Sequence, residues 1–161
     1  MYMRYYYGEK ISVVIEKAVE EQLLYYINCF DYNVEHGGII VGKLEPDKKQ
    51  ILITDITFPQ EDDICKAFSF CRLEKKHQLI MDNLWKESQF TKTYLGEWHT
   101  HNEKNPMPSM VDKRNWHNII KRDKNSDWLF FIIVGTRNLG IWTIDNGKIV
   151  KMSERNTIQN A

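Results

Sequence analysis

The chain has 161 residues, 42% of them hydrophobic, and its 22 basic side chains balance its 22 acidic ones. This length suits one domain with a single core, and the balanced charge argues against a protein that binds nucleic acid by neutralising phosphates. No apolar run approaches the roughly 20 residues that cross a bilayer, and the first residues lack the pattern of a signal peptide. We therefore expect a cytoplasmic protein with neither a nucleic-acid partner nor a membrane partner.

The three cysteines, Cys29, Cys65 and Cys71, include no Cys-x-x-Cys pair. An odd number of widely spaced cysteines argues against a disulfide framework and fits a reducing cytoplasm. We expect all three to be buried as small hydrophobic residues.

The first half of the chain alternates between the strand and helix patterns. Two strands flank a turn at Gly8-Glu9, and helical spacing runs from Glu16 to Asn28. Two apolar strands follow, of which the second ends at Pro59, and "KAFSFCRL" predicts a further strand. These elements predict a sheet that is interrupted early by one helix.

An amphipathic helix is predicted over "EKKHQLIMDNLWKESQ". Its helical spacing directs Leu79, Ile80, Leu84 and Trp85 toward the core. His77 falls on the polar face, so we expect it at the protein surface.

The second half begins with the strand "TYLGEWHTH", followed by a helix from Ser109 to about Asp123. The apolar run "DWLFFIIVG" predicts a buried strand, and Asn146-Gly147 marks the turn of a final hairpin. Strands and helices in this order predict an α/β fold with a central mixed β-sheet flanked by helices.

Two histidines, His99 and His101, flank Thr100 at the end of a predicted strand. Because alternate side chains of a strand point to the same face, both imidazoles are directed at one spot, within reach of one metal ion. Thr100 points to the opposite face. The pair alone indicates a metal only weakly, since two ordinary histidines at a strand end give the same pattern.

Ser109 and Asp112 follow a proline-bearing loop. Ser-x-x-Asp is typical of a helix N-cap with an acidic first turn, and capping alone would explain it. A carboxylate in that turn can also supply a third metal ligand. Two imidazoles and one carboxylate leave the fourth position of zinc open for a water of lowered pKa, as in a catalytic site.

Such a water requires a group that accepts and returns its proton, and two carboxylates are candidates. Glu35 precedes two glycines and an apolar strand in "EHGGIIVG", and the glycines would let the backbone pass close to another segment. A solvated loop position is the alternative for Glu35. Glu97 shares a strand face with both histidines, so both carboxylates stay open at this point.

Together these motifs resemble the JAMM (JAB/MPN-plus) family of zinc metalloproteases. "HTH", seven residues and "SMVD" match the signature His-x-His-x7-Ser-x-x-Asp, and "EHGGIIVG" resembles the family's upstream Glu with its Gly-Gly strand. The short chain and "YLGEWHTH" are most similar to prokaryotic JAB deconjugases encoded beside E1- and E2-like proteins in type II CBASS-like antiphage operons. The resemblance implies a single-domain JAB/MPN fold, which is cytidine-deaminase-like, over residues 1–155, with residues 156–161 as a frayed tail.

The resemblance also implies the roles of five residues. His99, His101 and Asp112 would bind one catalytic Zn2+ with its water, Glu35 would act as general base and then acid, and Ser109 would donate to the oxyanion.

The implied activity is that of a metalloprotease or isopeptidase that cleaves after the C-terminal tail of a ubiquitin-like or similarly conjugated protein. It would act in bacterial antiphage defence, with E1- and E2-like proteins of the same operon as further partners. The alternative is a non-catalytic MPN-type scaffold or interaction module, although such relatives lose ligands that this chain retains.

The chain departs from the family pattern in two places. Asn102 stands where relatives often carry proline, and the segment from Pro59 to Cys71 is short where relatives often hold the substrate tail. Among the remaining residues, we expect Trp98 and Trp116 to pack in the core and Arg72 to be a surface charge.

Overall fold

The computed structural model describes residues 3–29, 34–45, 49–67 and 69–154, with the side chains of residues 28 and 29 left out. The predicted tail, 156–161, lies outside the described residues. No helix among those described combines the length and apolar character that a membrane crossing requires. The elements in chain order are β1 (Met3–Tyr7), β2 (Ile11–Ile15), α1 (Lys17–Cys29), β3 (Gly37–Leu44), β4 (Gln50–Ile56), β5 (Ile64–Lys66), β6 (Ser69–Cys71), α2 (Glu74–Glu87), β7 (Thr93–Thr100), α3 (Met110–Arg122), β8 (Phe130–Val134), β9 (Leu139–Asp145), β10 (Lys148–Lys151) and β11 (Ser153–Glu154).

Within the described residues, nine strands form one sheet in the order β10-β9-β8-β7-β3-β4-β2-β1-β11. β2 pairs with β4 and β7 pairs with β8 in parallel, whereas the other neighbours are antiparallel. The sheet is therefore mixed, with helices packed on it, which confirms the predicted fold class. β7 and β3 are neighbours at its centre, so their ends are held on both sides.

The two faces of the sheet carry different helices. Phe130 of β8 packs with α1 in the main core, whereas Phe131 stacks on Trp116 of α3 with ring centroids 4.6 Å apart. Trp98 of β7 is fully buried in the main core, so both tryptophans are core residues as predicted. Because side chains alternate along a strand, His99 faces the α3 side.

Helix α2 is rotated relative to the prediction. Its buried residues are His77 and Met81, and Met81 packs on β3. The four apolar side chains predicted to face the core differ in exposure, with Leu79 58% exposed, Trp85 44% exposed, and Ile80 and Leu84 half-buried. The hydrogen bonds of His77, described below, determine this rotation, because a buried imidazole must satisfy both ring nitrogens.

The segment "KAFSFCRL", predicted as one strand, instead contributes to a separate hairpin in which β5 pairs with β6. Cys65 is half-buried and Cys71 is exposed, so the expectation of burial is wrong for both. A two-stranded hairpin outside the main sheet has no second layer to cover its outer face. The side chain of Cys29 lies outside the described part of the chain.

Candidate metal centre

The end of β7 directs two imidazoles at one spot. Nε2 of His99 lies 3.0 Å from Nε2 of His101, and both residues are buried. His101 continues the strand direction, since its N–H donates to the carbonyl of Val134 at 2.9 Å. Thr100, between the histidines, hydrogen-bonds on the other side with the backbone of His36. The alternation predicted for this strand end is therefore present in the structure.

Helix α3 begins so that its first-turn carboxylate reaches both histidines. Ser109 Oγ accepts a hydrogen bond from Asp112 N at 3.1 Å, and Ser109 N donates to Asp112 Oδ2 at 2.6 Å, which makes a capping box. Asp112 Oδ1 lies 3.3 Å from Nε2 of His99, and Oδ2 lies 3.3 Å from Nε2 of His101. One carboxylate thus caps the helix and also faces the histidine pair.

The loop that joins β7 to α3 is held by the loop between β8 and β9. Thr136 N donates to the carbonyl of Glu103 at 2.7 Å, and Asn138 Nδ2 donates to Asn105 Oδ1 at 2.6 Å. These bonds fix the loop that contains Asn102. They set the spacing between the histidines and the start of α3.

Glu35 joins the cluster from the residues that precede β3. It is only 8% exposed, and its Oε1 lies 3.7 Å from Nε2 of His101. Its N–H donates to the carbonyl of Lys66 in the hairpin at 2.8 Å. The alternative of a solvated loop residue is therefore wrong, because the adjoining hairpin and β7 enclose this position.

Two glycines after Glu35 permit this close approach. A Cβ on Gly37 would lie 2.3 Å from the carbonyl oxygen of Trp98, and one on Gly38 would lie 2.1 Å from the carbonyl oxygen of Thr57. Both distances are far shorter than a carbon–oxygen contact allows. The paired glycines therefore let β3 lie against β7 and against the chain after β4, as the sequence predicts.

The buried groups of the cluster influence one another's ionisation. Burial raises the pKa of the Glu35 carboxyl, although the nearby charges of His99 and His101 oppose the shift. Burial also opposes ionisation of Asp112, but its contacts with His101 and His99 outweigh it and hold the pKa well below its usual range. Burial lowers the pKa of His101, but Asp112 outweighs this effect and the net shift is upward.

The donor set fits a divalent cation. Glu35, His99 and His101 each offer a ligand atom, and these atoms lie within 4.8 Å of one another. Asp112 adds carboxylate oxygens beside both imidazoles. Imidazole nitrogen and carboxylate oxygen are the ligands of catalytic zinc sites, so these residues could hold such an ion.

The chain matches the family model described as prokaryotic homologs of the JAB domain over residues 17–145. The protein belongs to the prokaryotic JAB family. It is 32% identical over 129 residues to a CD-NTase/cGAS isopeptidase of Vibrio cholerae, with 78% of each chain covered. It is 29% identical over 143 residues to an Escherichia coli protein of the same name, with 89% of this chain and 88% of that protein covered.

The solution structure of protein DSY2949 from Desulfitobacterium hafniense has the same fold as this JAB domain. The two superpose with a TM-score of 0.59 at 16% identity, covering 86% of this chain and 88% of that one. The predicted JAB family and its single-domain α/β fold are thereby confirmed.

The second carboxylate that the sequence left open, Glu97, has a different partner in this JAB domain. Its Oε1 accepts hydrogen bonds from Arg72 Nε at 3.0 Å and from Arg72 Nη2 at 2.7 Å. The Arg72 side chain is only 17% exposed, so the expectation of an ordinary surface charge is wrong. The Glu97 carboxylate is thus paired with Arg72, whereas Glu35 lies beside His101.

The JAB domain also contains a buried histidine network that the sequence did not indicate. His77 is fully buried, with Nδ1 2.6 Å from Thr57 Oγ1 and Nε2 2.9 Å from Asp63 Oδ2. Asp63 further accepts hydrogen bonds from the backbone N–H groups of Gln60 at 2.8 Å and Leu73 at 2.9 Å. A lone histidine among polar helical residues gives no signal of such a network.

Proposed function

We propose that this JAB-domain protein is a zinc-dependent isopeptidase. It would hydrolyse the amide bond between the C-terminal tail of one protein and an amine of another. The observation that carries the proposal is the convergence of Glu35, His99, His101 and Asp112 in one cluster, in a chain whose relatives are named isopeptidases. In this proposal His99, His101 and Asp112 hold Zn2+.

Zinc, when bound, supplies the Lewis acidity that polarises the scissile carbonyl and lowers the pKa of a water molecule. Glu35 accepts the proton of the attacking water at its carboxylate and delivers it to the leaving amine nitrogen. Burial raises the pKa of Glu35, which makes its carboxylate a stronger acceptor for the proton of the attacking water.

Ser109 would stabilise the oxyanion that forms when water attacks. Its Oγ accepts the N–H of Asp112, which leaves the hydroxyl hydrogen to donate elsewhere. The residue is exposed at the start of α3, where a substrate can reach it. A hydrogen bond that forms only with the charged oxygen lowers the barrier rather than the dissociation constant of the substrate.

The names of the relatives suggest the class of substrate. We propose that the protein releases a CD-NTase/cGAS protein, or a ubiquitin-like protein, from a conjugate made through its C-terminal tail. E1- and E2-like proteins encoded beside it would form that conjugate in a CBASS-like antiphage operon. Both reactions would take place in the cytoplasm.

The test uses the conjugated protein encoded next to the gene. Two substrates are prepared from this protein. In one its C-terminus is fused to a reporter by a peptide bond, and in the other its C-terminus is joined to a lysine side chain by an isopeptide bond. We expect zinc-loaded protein to release the intact tail, identified by mass spectrometry, and we expect chelation or Glu35→Gln to stop release. Failure on every neighbour-encoded fusion and conjugate, with Glu35→Gln indistinguishable from wild type, would instead favour the non-catalytic scaffold.

A further inference from the structure

Thr100 contacts the backbone beside Glu35, although its side chain points away from the metal cluster. The N–H of His36 donates to Thr100 Oγ1 at 2.9 Å, and the N–H of Thr100 donates to the carbonyl of His36 at 2.8 Å. Thr100 is 1% exposed. A residue between the two histidines therefore holds the segment that carries the proposed general base.

The two peptide groups that flank the Cα of Glu35 are both anchored. In the peptide before it, the N–H of Glu35 donates to the carbonyl of Lys66 at 2.8 Å. In the peptide after it, the N–H of His36 donates to the Thr100 hydroxyl. Fixing both peptide planes fixes the two backbone dihedrals of the residue between them. The direction in which the Glu35 side chain leaves the backbone is thereby set by two separate elements, the hairpin and β7.

The hydroxyl is the part of the Thr100 side chain that contacts the His36 backbone. The main-chain bond from Thr100 N would survive any substitution except proline, but only threonine and serine carry on Cβ a hydroxyl that can accept the N–H of His36. Thr100 lies opposite Val134 of β8, on the face of the main core. Valine would fill the same space and suit the same strand, so packing does not explain a hydroxyl there.

We propose that Thr100 is a positioning residue, whose hydroxyl holds the His36 peptide so that the Glu35 carboxylate stays beside His101. This inference rests on the proposed function, in which Glu35 moves the proton. A general base displaced by about 1 Å from the attacking water loses roughly 10²-fold in rate. The hydroxyl would thus act on turnover through Glu35 without touching substrate.

The primary test is Thr100→Val, which removes the oxygen and keeps the shape. We expect kcat to fall about 10- to 100-fold, while KM and zinc affinity change by less than about two-fold. Thr100→Ser, which restores the oxygen, should recover kcat to within about three-fold of wild type. Equal loss in the valine and serine variants would overturn the proposal.

Thr143→Val is the matched control. The Thr143 hydroxyl is fully buried and donates to the carbonyl of Leu129 at 2.8 Å. Thr143 pairs with Phe130, at the opposite end of β8 from Ile133, the residue beside His99. We expect this variant to lose thermal stability as Thr100→Val does, with kcat unchanged.

Two further measurements separate positioning from general destabilisation. In a Glu35→Gln background, Thr100→Val should cause no additional loss of rate, because the group that it positions is already gone. Amide hydrogen exchange at His36 should accelerate in Thr100→Val and not in Thr143→Val, whatever the activity.

A wild type that cleaves nothing would overturn the proposed function. A cleaving wild type with Thr100→Val as active as Thr143→Val would overturn this inference alone.

Discussion

This JAB domain contains two buried clusters of histidine and carboxylate that differ in how their polar atoms are satisfied. In the first, Thr57 Oγ1 accepts the N–H of Ile39 at 2.9 Å and forms a hydrogen bond with His77 Nδ1 at 2.6 Å. Because an ionised carboxylate only accepts hydrogen bonds, the other ring nitrogen, Nε2, donates to Asp63 Oδ2 at 2.9 Å. Every nitrogen and hydroxyl in this cluster has a complementary partner from the protein itself.

In the second cluster, at the end of β7, imidazole nitrogens and carboxylate oxygens converge on one another. Nε2 of His99 and Nε2 of His101 are 3.0 Å apart, and both face the oxygens of Asp112 at 3.3 Å. Glu35 adds a further carboxylate oxygen 3.7 Å from His101.

The difference distinguishes a histidine that completes the hydrogen bonding of the fold from a pair that could hold a cation. A closed cluster, in which each donor meets an acceptor, stabilises the fold and gains nothing from a cation. A cluster of converging electron-pair donors gains much from a cation, because the ion satisfies all of the donors at once. Mutations should therefore separate the two clusters by phenotype.

The largest expected effect is that of His99→Ala. Removing one of the proposed ligands should reduce bound zinc well below one ion per chain and bring cleavage to background. His117→Ala, which changes a half-buried histidine of α3 outside the cluster, should retain both. Metal analysis by mass spectrometry and the release assay measure the two outcomes. Stoichiometric zinc in His99→Ala would show that the cluster is not the ligand set.

Next in size is the change Glu35→Gln, which keeps the shape of the side chain and removes the proton acceptor. We expect turnover to fall roughly 10²- to 10⁴-fold with zinc still bound. Glu97→Gln, a matched change of the carboxylate held by Arg72, should leave the rate within a few-fold. The reverse result would transfer the role of general base to Glu97.

Ser109→Ala should lower kcat by roughly 10²- to 10³-fold with little change in KM, because the lost bond forms with the oxyanion. The same change removes the N-cap of α3, which costs about 1 kcal/mol of stability. Thermal unfolding measured beside kinetics separates the two effects. If kcat is unchanged and only the melting temperature falls, the serine serves as a cap alone.

In the closed cluster, His77→Leu should affect stability rather than chemistry. The substitution leaves the Asp63 carboxylate buried without its imidazole donor, at a cost of about 2–4 kcal/mol in the free energy of unfolding. That corresponds to a fall of about 5–15 °C in Tm, with kcat of the folded protein within a few-fold of wild type. Gln78→Leu, on the exposed side of the same helix, should change neither. A large loss of kcat at unchanged Tm would contradict the distinction between the clusters.

The smallest effect is a pH dependence of stability at Asp63. Burial opposes its ionisation, but hydrogen bonds from Gln60 N, His77 and Leu73 N outweigh it, and the folded pKa lies below its ordinary value of 3.8. The unfolded chain therefore binds the proton more readily, so this contribution is complete above about pH 4 and is lost as the pH falls toward the folded pKa. Denaturant unfolding should show that Asp63→Asn loses stability relative to wild type near neutral pH and that the gap narrows in acid. A gap independent of pH would contradict this assignment.

Sequence reasoning succeeded where the structural signal is local. Alternation on a strand placed His99 and His101 on one face, and the Ser-x-x-Asp spacing located the start of α3 at Ser109. The glycines after Glu35 indicated a close backbone approach. Each of these features depends on residues within a few positions of one another.

It failed where partners are distant along the chain. Twenty residues separate Thr57 from His77, and 64 separate His36 from Thr100, so neither contact has a periodic signature. The rotation of α2 depends on the first of these contacts, which is why a helix with an apolar stripe buries a histidine instead of Leu79. A tertiary hydrogen bond overrode the amphipathic pattern there.

The capping box of α3 ties two properties of the chain to one side chain. Asp112 accepts the N–H of Ser109 while its carboxylate faces both imidazoles, so a relative without a metal site would still use an acceptor oxygen at this place for the capping box. Asparagine keeps an acceptor oxygen at the same distance from the backbone as aspartate and gives up the charge. A catalytically silent relative with asparagine here would keep both bonds of the capping box, whereas one with alanine would start α3 with the Ser109 hydroxyl alone.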